Sequence, residues 1–389
     1  MYSVKFNMFL AMVILLLVIS FAQKYYDKNV DILKRKTSKI VMQKMINAGL
    51  SPEELFKVWH LIHNKSYQIN SDIGKQKEAT FVKNYHFVKE HNQNYENNYT
   101  LGLNHFADLT QEEFHELFLK HSEKLYADLI NKKGINNINN LNNKRFTLQA
   151  TDTTTAEDHD DSKDFESINW TEKSKLSKVY QQGNCGSCWA FATTQAVEAL
   201  YGIKNNASVS LSKQQLVDCE VSSNGCQGGD LHSAMEYIQT YGLETEKDYR
   251  YKESQSRCTF ENEKQKYKIR GFDQCHKDTI FWIFNRDTSC SNDLTLYRTL
   301  KKGPVASVVD ASNHFMLYED GIFDKPCKNI NHAILVMGYK KKEHEGDQNY
   351  WLVKNSWGPM WGNHGYIKIK QSDNYNSCLL NQYYVRPYL

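Results

Sequence analysis

Two cysteines three positions apart form the most distinctive short motif in the chain. Cys185 and Cys188 lie in the segment Gln-Gly-Asn-Cys-Gly-Ser-Cys-Trp, residues 182–189. A Cys-x-x-Cys pair is compatible with a redox-active dithiol, with half of a zinc site, or with a nucleophile beside a structural cysteine. A zinc site needs a second closely spaced pair of ligands, and Cys219 and Cys226, seven residues apart, fit this poorly. A redox pair requires that both cysteines can alternate between the thiol and the disulfide form.

The cysteine count favours the nucleophile. The chain has nine cysteines, so if Cys188 stays outside any disulfide the other eight can all pair. Cys188 also directly precedes a helical pattern, and the N–H groups at a helix N-terminus stabilise a thiolate. A thiolate nucleophile needs an imidazole partner, which in turn needs an acceptor that orients it. His332 and Asn355 are the candidates, although a lone histidine at the start of a strand is more often structural.

Taken together, these residues resemble the active-site motifs of the papain family of cysteine proteases. The Cys-Gly-Ser-Cys-Trp segment, the later histidine and the asparagine of Asn-Ser-Trp-Gly occur in the family's order, and residues 165–389 are most similar to its cathepsin L branch. The glycine-rich segment 225–229 and the closing segment 361–366 also agree. Upstream, residues 102–108 fit the Gly-x-Asn-x-Phe-x-Asp motif of the family's pro-regions.

A second pro-region motif, an interrupted helical pattern, is only partly kept. Phe81, Asn84 and Asn92 match it, and two further positions carry conservative replacements. Ile73 stands where the family has glutamate. This departure bears on the subclass and not on the family.

The resemblance implies a role for each matching residue. Cys188 would be the nucleophile, His332 its proton carrier and Asn355 the residue that orients the imidazole. Gln182, with the backbone N–H of Cys188, would form the oxyanion hole, in which one donor is typically worth about 3 kcal/mol. The substrate would be held by the glycine-rich segment and by a pocket for the substrate residue second from the cut. It would lie beside an indole that covers His332. The implied substrate-binding residues are Gly186, Gly228, Gly229, Leu231, Val308, Ile330, Asn331, Ala333, Trp357 and Tyr383.

The resemblance also implies three disulfides. They would join Cys185 to Cys226, Cys219 to Cys258, and Cys327 to Cys378. Cys275 and Cys290 have no counterpart in the family, and we predict that they bond to each other and close a surface loop.

The elements that must position these residues follow from the hydrophobic pattern. Capping boxes at residues 51–54 and 110–113 predict helix starts in the N-terminal part, and Ser-x-x-Gln at 212–215 predicts another in the C-terminal part. Phe81, Tyr85, Val88 and Asn92 lie at helical spacing. Later segments alternate or are continuously apolar as strands do; they are residues 305–309, 332–339, 350–354 and 366–370.

Helices followed by antiparallel strands predict an α+β fold. The resemblance implies a papain-like domain of two lobes, a helical left lobe and an antiparallel, β-barrel-like right lobe, preceded by a small helical pro-domain.

Composition divides the chain into four segments. Residues 1–22 carry a lysine, an apolar run of 12 residues and a small-residue cleavage site, which predicts a signal peptide. A membrane anchor is the alternative, but about 20 apolar residues are needed to span a bilayer. Residues 23–126 lack cysteine and predict a helical inhibitory pro-domain, and residues 127–163, Asn-rich and acidic, predict an exposed linker that contains the processing site. Residues 164–389 hold all nine cysteines and predict the peptidase domain.

Charge and composition exclude several classes of protein. Of the 389 residues, 40% are hydrophobic and 24% are charged, which is typical of globular proteins and not of coiled coils or wholly disordered chains. The net charge of +3 gives no basic surface for nucleic acid. We expect a monomer with no cofactor, no metal ion and no stable membrane anchor. We also expect export through the secretory pathway to a lysosome, an acidic vacuole or the exterior, with glycosylation at Asn64, Asn98 and Asn206.

The sequence therefore predicts a cysteine endopeptidase that is made as an inactive precursor and inhibited by its own pro-region. Its substrates would be proteins and peptides, hydrolysed through an acyl-enzyme. Two alternatives stay open at this point. One is a non-catalytic papain-like protein that binds or inhibits, and the other is a thiol–disulfide oxidoreductase that uses Cys185 and Cys188.

Overall fold

The computed structural model describes residues 28–119, 165–173, 176–261, 263, 266–276, 292–371 and 377–389. The predicted signal peptide, the whole predicted linker and Cys290 lie outside the described residues. The helices are α1 Lys28–Asn47, α2 Pro52–Ile62, α3 Asp72–Gln93, α4 Gln111–Phe114, α5 Trp170–Lys173, α6 Cys188–Asn205, α7 Lys213–Cys219, α8 Leu231–Tyr241 and α9 Asp293–Leu300. The strands are β1 Tyr99–Leu101, β2 Ile168–Asn169, β3 Gly271–His276, β4 Val305–Val309, β5 Tyr318–Phe323, β6 His332–Lys340, β7 Tyr350–Lys354, β8 Tyr366–Lys370 and β9 Tyr383–Tyr388.

Two predicted capping boxes begin helices of the pro-region. Ser51 accepts a hydrogen bond from the backbone of Glu54 and the Glu54 carboxylate accepts one in return, with Pro52 at the first helical position. Thr110 and Glu113 make the same exchange at the start of α4. Each box satisfies backbone N–H groups that have no partner within the helix, so both predictions are confirmed.

The third predicted box, at the start of α7, is only half formed. Ser212 accepts from the backbone N–H of Gln215 at 2.9 Å, as predicted. The Gln215 side chain does not return the bond; it accepts from the backbone of Glu244 and donates to the carbonyl of Gly242. The Gln215 amide bonds to this loop instead, because α7 is buried and the backbone groups at residues 242–244 need hydrogen-bond partners.

Helix α3 carries the residues that fix the pro-region's second half. Phe81 is fully buried against Phe56 and Trp59, at ring distances of 5.5 and 5.1 Å. Asn84 donates to the carbonyls of Ala107 and Leu109. Asn92 bonds both backbone groups of Leu101 in β1. The partly kept helical motif therefore joins α3 to the segment that runs along the catalytic domain.

The strands form one sheet in the order β1-β5-β8-β7-β6-β4-β9-β3, with β2 paired to β6. All four predicted strands are present, as β4, β6, β7 and β8. The pairs are antiparallel apart from β5 and β8, which run parallel over a short register at residues 322–323 and 368–369. The right lobe is thus not purely antiparallel as expected, while the α+β prediction is confirmed.

The pro-region contributes an edge strand to this sheet. Tyr99 lies opposite Gly321 and Thr100 opposite Asp320 in the β1–β5 pair. The backbone N–H of Ile322 donates to Asn98, and that of Gly102 donates to Leu317, each at 2.8 Å. The pro-region therefore continues the catalytic domain's own backbone hydrogen bonding.

The central strands are buried on both faces and separate two hydrophobic cores. In β4, Val305 and Val309 point to one core, and Ala306 and Val308 to the other. The first core also contains the aromatic residues of the pro-region. The second contains the inner faces of α6, α7 and α8, and it includes Cys188. Side chains alternate between faces of a strand, so one strand supports both lobes.

The three disulfides implied by the resemblance are present. They join Cys185 to Cys226, Cys219 to Cys258, and Cys327 to Cys378. Cys275 is also in a disulfide. Its predicted partner, Cys290, lies outside the described residues, so the pairing remains a prediction.

Candidate active site

Cys188 is the first residue of α6 and is fully buried. It is in no disulfide, while Cys185 is bonded to Cys226. The side chain of Ser187, which precedes the helix, makes no capping hydrogen bond. Cys188 therefore lies at a helix N-terminus that Ser187 does not cap, and such a position favours a thiolate. The Cys185–Cys226 bond excludes a disulfide between Cys185 and Cys188 in this structure, which speaks against the oxidoreductase alternative.

The glycine-rich segment is held against the nucleophile loop by close backbone contacts. The N–H of Gly186 donates to the carbonyl of Cys226 at 2.8 Å, and a Cβ on Gly186 would lie 2.6 Å from that oxygen. Trp189 donates through its indole to Gly225 at 3.1 Å. A Cβ on Gly229 would lie 2.2 Å from the Trp189 ring, so only glycine fits there. Gly228 has φ +100°, in the region that favours glycine.

His332 and Asn355 come together from adjacent strands. His332 begins β6 and its Nε2 lies 2.8 Å from the Oδ1 of Asn355, directly after β7. A carbonyl oxygen accepts, so Nε2 carries the hydrogen and Nδ1 of the neutral ring does not. Nδ1 has no hydrogen-bond partner in the described part of the chain. This tautomer leaves Nδ1 able to take a proton.

The environment of His332 keeps it neutral in the precursor. Its side chain is fully buried, and the Trp357 ring lies 4.5 Å from the imidazole. Burial lowers the pKa of His332 to about 4, against the smaller raising effect of the bond to Asn355. An isolated positive charge on this ring is therefore disfavoured while the site is covered.

Gln182 is oriented by Ser356. The Ser356 hydroxyl donates to the Gln182 Oε1 at 2.6 Å, and the two backbones are joined by a bond of 2.8 Å. The Gln182 amide nitrogen then faces the nucleophile loop, where it donates one hydrogen to the Cys185 carbonyl at 3.0 Å. An amide nitrogen has two hydrogens, so one remains for an oxyanion.

Sequence reasoning missed two residues that support this arrangement. Ser356 lies inside the Asn-Ser-Trp-Gly segment already singled out, so its position was the available signal. The Tyr251 hydroxyl donates to the carbonyl of Gln182 at 2.7 Å and lies 2.6 Å from the Ser187 hydroxyl. Nothing in the sequence distinguishes Tyr251 from the chain's 23 other tyrosines.

The predicted pocket residues lie together. Leu231, Val308, Ala333 and Tyr383 are buried in the core that contains Cys188, and Ile330 packs against it. Val308 and Ala333 are direct neighbours in the β4–β6 pair. The residues predicted to line the pocket therefore form one largely apolar group.

Asp230, the residue before Leu231, is already engaged. Its carboxylate caps α8 by accepting from the backbone of Ser233 at 2.9 Å. The other oxygen accepts from the Tyr383 hydroxyl at 2.5 Å. Both carboxylate oxygens thus have partners within the fold.

Asn331 is held by side-chain bonds beside the catalytic histidine candidate. Its amide nitrogen donates to Asp310 and Ser312, and its oxygen accepts from the backbone of Ala311. Its own N–H donates to Val309 at 3.2 Å. The backbone carbonyl of Asn331 is therefore the group that could bind a substrate.

Aromatic residues of the pro-region cover the site's indole. The rings of Phe106, Phe114 and Phe118 lie 5.5, 5.2 and 6.4 Å from that of Trp357. Because Trp357 lies against His332, the pro-region covers the indole on this side of the histidine.

The predicted glycosylation sites Asn64, Asn98 and Asn206 are exposed. The Asn98 amide donates to the Asp324 carboxylate at 2.6 Å across the contact between pro-region and catalytic domain.

Two family models match this chain. The one described as papain family cysteine protease matches residues 165–388, and the one described as cathepsin propeptide inhibitor domain (I29) matches residues 56–114. The chain belongs to the papain family of cysteine proteases. The match to the inhibitor domain confirms the predicted inhibitory pro-region of this protease precursor.

The protease is similar to cathepsin L-like proteins along most of its length. It is 33% identical to a cathepsin L-like proteinase of Fasciola hepatica over 336 residues, which cover 84% of this chain and 91% of the relative. It is 33% identical to cathepsin L of Sarcophaga peregrina, with 86% and 93% covered. The solved digestive procathepsin L 3 of the Tenebrio molitor larval midgut is 27% identical, with a TM-score of 0.66 and 87% and 99% covered.

The described residues contain no group of three or more histidine, cysteine or acidic side chains that could hold a metal ion. Over the same residues, none of the helices combines the length and the apolar character needed to cross a bilayer.

Proposed function

We propose that this protease hydrolyses peptide bonds with Cys188 as nucleophile, His332 as proton carrier, Asn355 as orienting residue and Gln182 as oxyanion donor. The His332–Asn355 bond of 2.8 Å carries the proposal, because it leaves Nδ1 of His332 as a proton acceptor on a strand packed against α6. The helix that this strand contacts begins with Cys188.

The reaction follows from these positions. His332 takes the thiol proton, and the thiolate sulfur of Cys188 attacks the scissile carbonyl carbon while the carbonyl π electrons move to oxygen. Gln182 and the Cys188 N–H stabilise that oxyanion. The imidazolium then protonates the leaving amine as the C–N bond breaks, which leaves an acyl-enzyme. His332 removes a proton from water, the hydroxide displaces the sulfur, and the proton returns to the thiolate.

The substrate is proposed to be an extended segment of protein. It would lie along Gly186, Gly228 and Gly229 and bond the carbonyl of Asn331. Its second residue from the cut would enter the pocket of Leu231, Val308, Ile330, Ala333 and Tyr383.

The precursor organisation is proposed as predicted from the sequence. Residues 1–22 direct export, 23–126 inhibit, 127–163 contain the processing site and 164–389 catalyse. We propose that the protease acts as a monomer in a lysosome, an acidic vacuole or outside the cell, and that its exposed sequons carry glycans.

Replacement of the nucleophile tests the mechanism. Cys188→Ser should give a folded precursor that, after processing in trans, has lost at least about 1,000-fold in peptide hydrolysis, because a hydroxyl is a much poorer nucleophile than a thiolate. An epoxide inhibitor of cysteine proteases should add once to the processed wild-type enzyme, at Cys188, and not to the variant. Substantial hydrolysis by the variant, or an adduct on another residue, would contradict the assignment.

A further inference from the structure

Two histidines face each other across the contact between the pro-region and the catalytic domain. His91 lies near the end of α3, and His314 lies in the 3-10 segment that precedes β5. Their ring centroids are 5.2 Å apart. Tyr99 of β1 packs beside both, with its ring 4.7 Å from that of His91 and 6.0 Å from that of His314. Phe87 packs edge-on against His314 at 5.0 Å.

The hydrogen bonds around His91 fit its neutral form. Its Nε2 lies 3.0 Å from the backbone carbonyl of Tyr99, so Nε2 carries a hydrogen. Its Nδ1 lies 3.3 Å from the amide nitrogen of Asn97, which also donates to the His91 carbonyl at 2.8 Å. The amide nitrogen is a donor, so Nδ1 must be unprotonated. A second proton on His91 would set one donor against another.

His314 is bonded to the same tyrosine. Its Nδ1 lies 2.7 Å from the Tyr99 hydroxyl, and which of the two donates depends on the tautomer of the ring. A doubly protonated ring can only donate through Nδ1, so the hydroxyl must then accept. With both rings charged, two cations would repel each other at 5.2 Å in a largely buried contact.

Two further charged residues face the pair, both from the catalytic domain. Lys325 opposes a positive charge on either ring, while Asp324 favours one on His91. Asp324 is partly compensated already, because it accepts from the Asn98 amide. Burial lowers the pKa of His314 to about 4, and Lys325 and His91 act in the same direction. Burial also lowers the pKa of His91, against the raising effect of its bond to Tyr99.

We propose that His91 and His314 form an acid-sensitive latch, in which proton uptake by either ring weakens the pairing of β1 with β5 and opens the pro-region. The latch controls access to the proposed active site, and in this respect the inference rests on the proposed function. It is distinct from acid release through carboxylates of the pro-region, such as Asp108, because the sensing groups lie on both sides of the contact.

The sign of the effect follows from linkage. Separated from each other, both imidazoles return to an ordinary pKa of about 6.5. The closed precursor then binds fewer protons than the open one, so closure is most stable above that pH and is lost as the pH falls through about 6.5 toward 4. For His314 alone, with a pKa of about 4 in the closed precursor, opening should be favoured about 30-fold more at pH 5 than at pH 7.5.

Hydrogen exchange in the full-length Cys188→Ser precursor tests the latch without relying on activity. The probes are the N–H groups of Gly102 and Ile322, which bond across the β1–β5 pair. Their protection factors, corrected for the intrinsic pH dependence of exchange, are measured from pH 7.5 to 4.5. His91→Gln and His314→Gln keep a donor and an acceptor but cannot titrate. His86→Gln is the matched control, exposed on the same helix as His91.

In the Cys188→Ser parent and the His86→Gln control, protection should fall steeply with acid. His314→Gln should reduce this fall by about 30-fold at pH 5, and the double variant should be nearly flat. Retention of the parent's fall by His314→Gln overturns the proposal. If His91→Gln does not fold at pH 7.5, His314→Gln alone decides, since it alters only the half-buried residue on the catalytic domain.

The carboxylate explanation is tested in parallel. Asp108 accepts from Lys65 at 2.9 Å and from Tyr67 at 2.7 Å inside the pro-region. If Asp108→Asn abolishes the acid-induced fall while both histidine variants keep it, the latch is refuted. Hydrolysis of peptides by the Cys188→Ser protein would instead refute the proposed nucleophile and leave the exchange result interpretable.

Discussion

A single amide oxygen sets the geometry of the proposed catalytic pair. The Oδ1 of Asn355 accepts from the ring of His332 and also from the backbone N–H of Ser356, at 2.8 and 2.7 Å. Its Nδ2 has no hydrogen-bond partner in the described part of the chain. The side chain therefore acts here as an acceptor, and its worth to catalysis lies in orienting the imidazole.

Two substitutions at Asn355 distinguish the role of its acceptor oxygen from that of the amide group as a whole. Asn355→Ala should lower kcat by about 10- to 100-fold with little change in KM, the value of one hydrogen bond to a group that becomes charged. Asn355→Asp keeps the acceptor, so it should retain most of kcat. Its negative charge should raise the pKa of His332 and shift the part of the pH–rate profile that reports this histidine to higher pH.

Steady-state kinetics across pH on the processed enzymes would check this. Wild-type kcat in Asn355→Ala, or equal losses in both variants, would show that the asparagine does not act by orienting His332.

At the scale of elements, local signals were predictable and distant pairings were not. The capping boxes at Ser51 and Thr110 depend on residues three positions apart, and both helix starts were found. Strand β1 is only three residues long and pairs with β5 more than 200 residues away, so no local pattern marks it. Strands β3, β5 and β9 were missed for the same reason, and the parallel β5–β8 pair also depends on distant partners.

Part of the candidate site was also predictable from the sequence. Its four proposed catalytic residues follow from motif and order, and the structure places His332 against Asn355. Ser356 and Tyr251 act through side-chain contacts that exist only once the chain has folded, so their supporting positions could not be derived from spacing.

The contact between the glycine-rich segment and α6 allows a sharp test. Gly229→Ala places a Cβ 2.2 Å from the Trp189 ring, so the segment must move away from the cleft. We expect a loss of about 1–3 kcal/mol in unfolding free energy from overpacking, together with a higher KM. Gly346→Ala is the control, since its Cβ would meet nothing within 4 Å and only the backbone strain at φ +94° applies.

Denaturant unfolding in the Cys188→Ser background and peptide kinetics in the active background would measure the two effects. If Gly229→Ala behaves like Gly346→Ala in both assays, the glycine segment does not form the substrate wall.

The apolar pocket predicts which substrates are cut. Leu, Val or Phe should be preferred over Arg at the residue second from the cut by at least about 10-fold, because apolar walls give a charged side chain no partner. Asp230 is engaged by Ser233 and Tyr383 and is not expected to supply one. Peptide-library profiling of the processed enzyme checks the order. Arg ranked first would mean that Asp230 turns into the pocket.

At the scale of the whole molecule, the start of the catalytic domain limits where processing can occur. Phe165 is 2% exposed and its ring stacks on Tyr297 at 4.0 Å. The backbone of Glu166 is also bonded to Tyr297. Removal of these residues would uncover buried aromatic surface, whereas the preceding segment was predicted to be accessible.

We therefore expect acid incubation of the precursor to give a new N-terminus between Arg145 and Phe165. N-terminal sequencing of the product measures it, and the Cys188→Ser precursor, which should stay intact, is the control for contaminating proteases. A mature N-terminus before residue 127 or after Trp170 would contradict the proposed boundaries.

The strand that the pro-region adds to the sheet has a consequence for the enzyme after processing. When β1 leaves, the outer edge of β5 is open to solvent, and such an edge can recruit another extended chain. Glu319, Asp320 and Asp324 lie along or beside that edge, and their like charges keep two copies from docking there. These charges should therefore help the processed enzyme to remain the proposed monomer once the strand that covered this edge has gone.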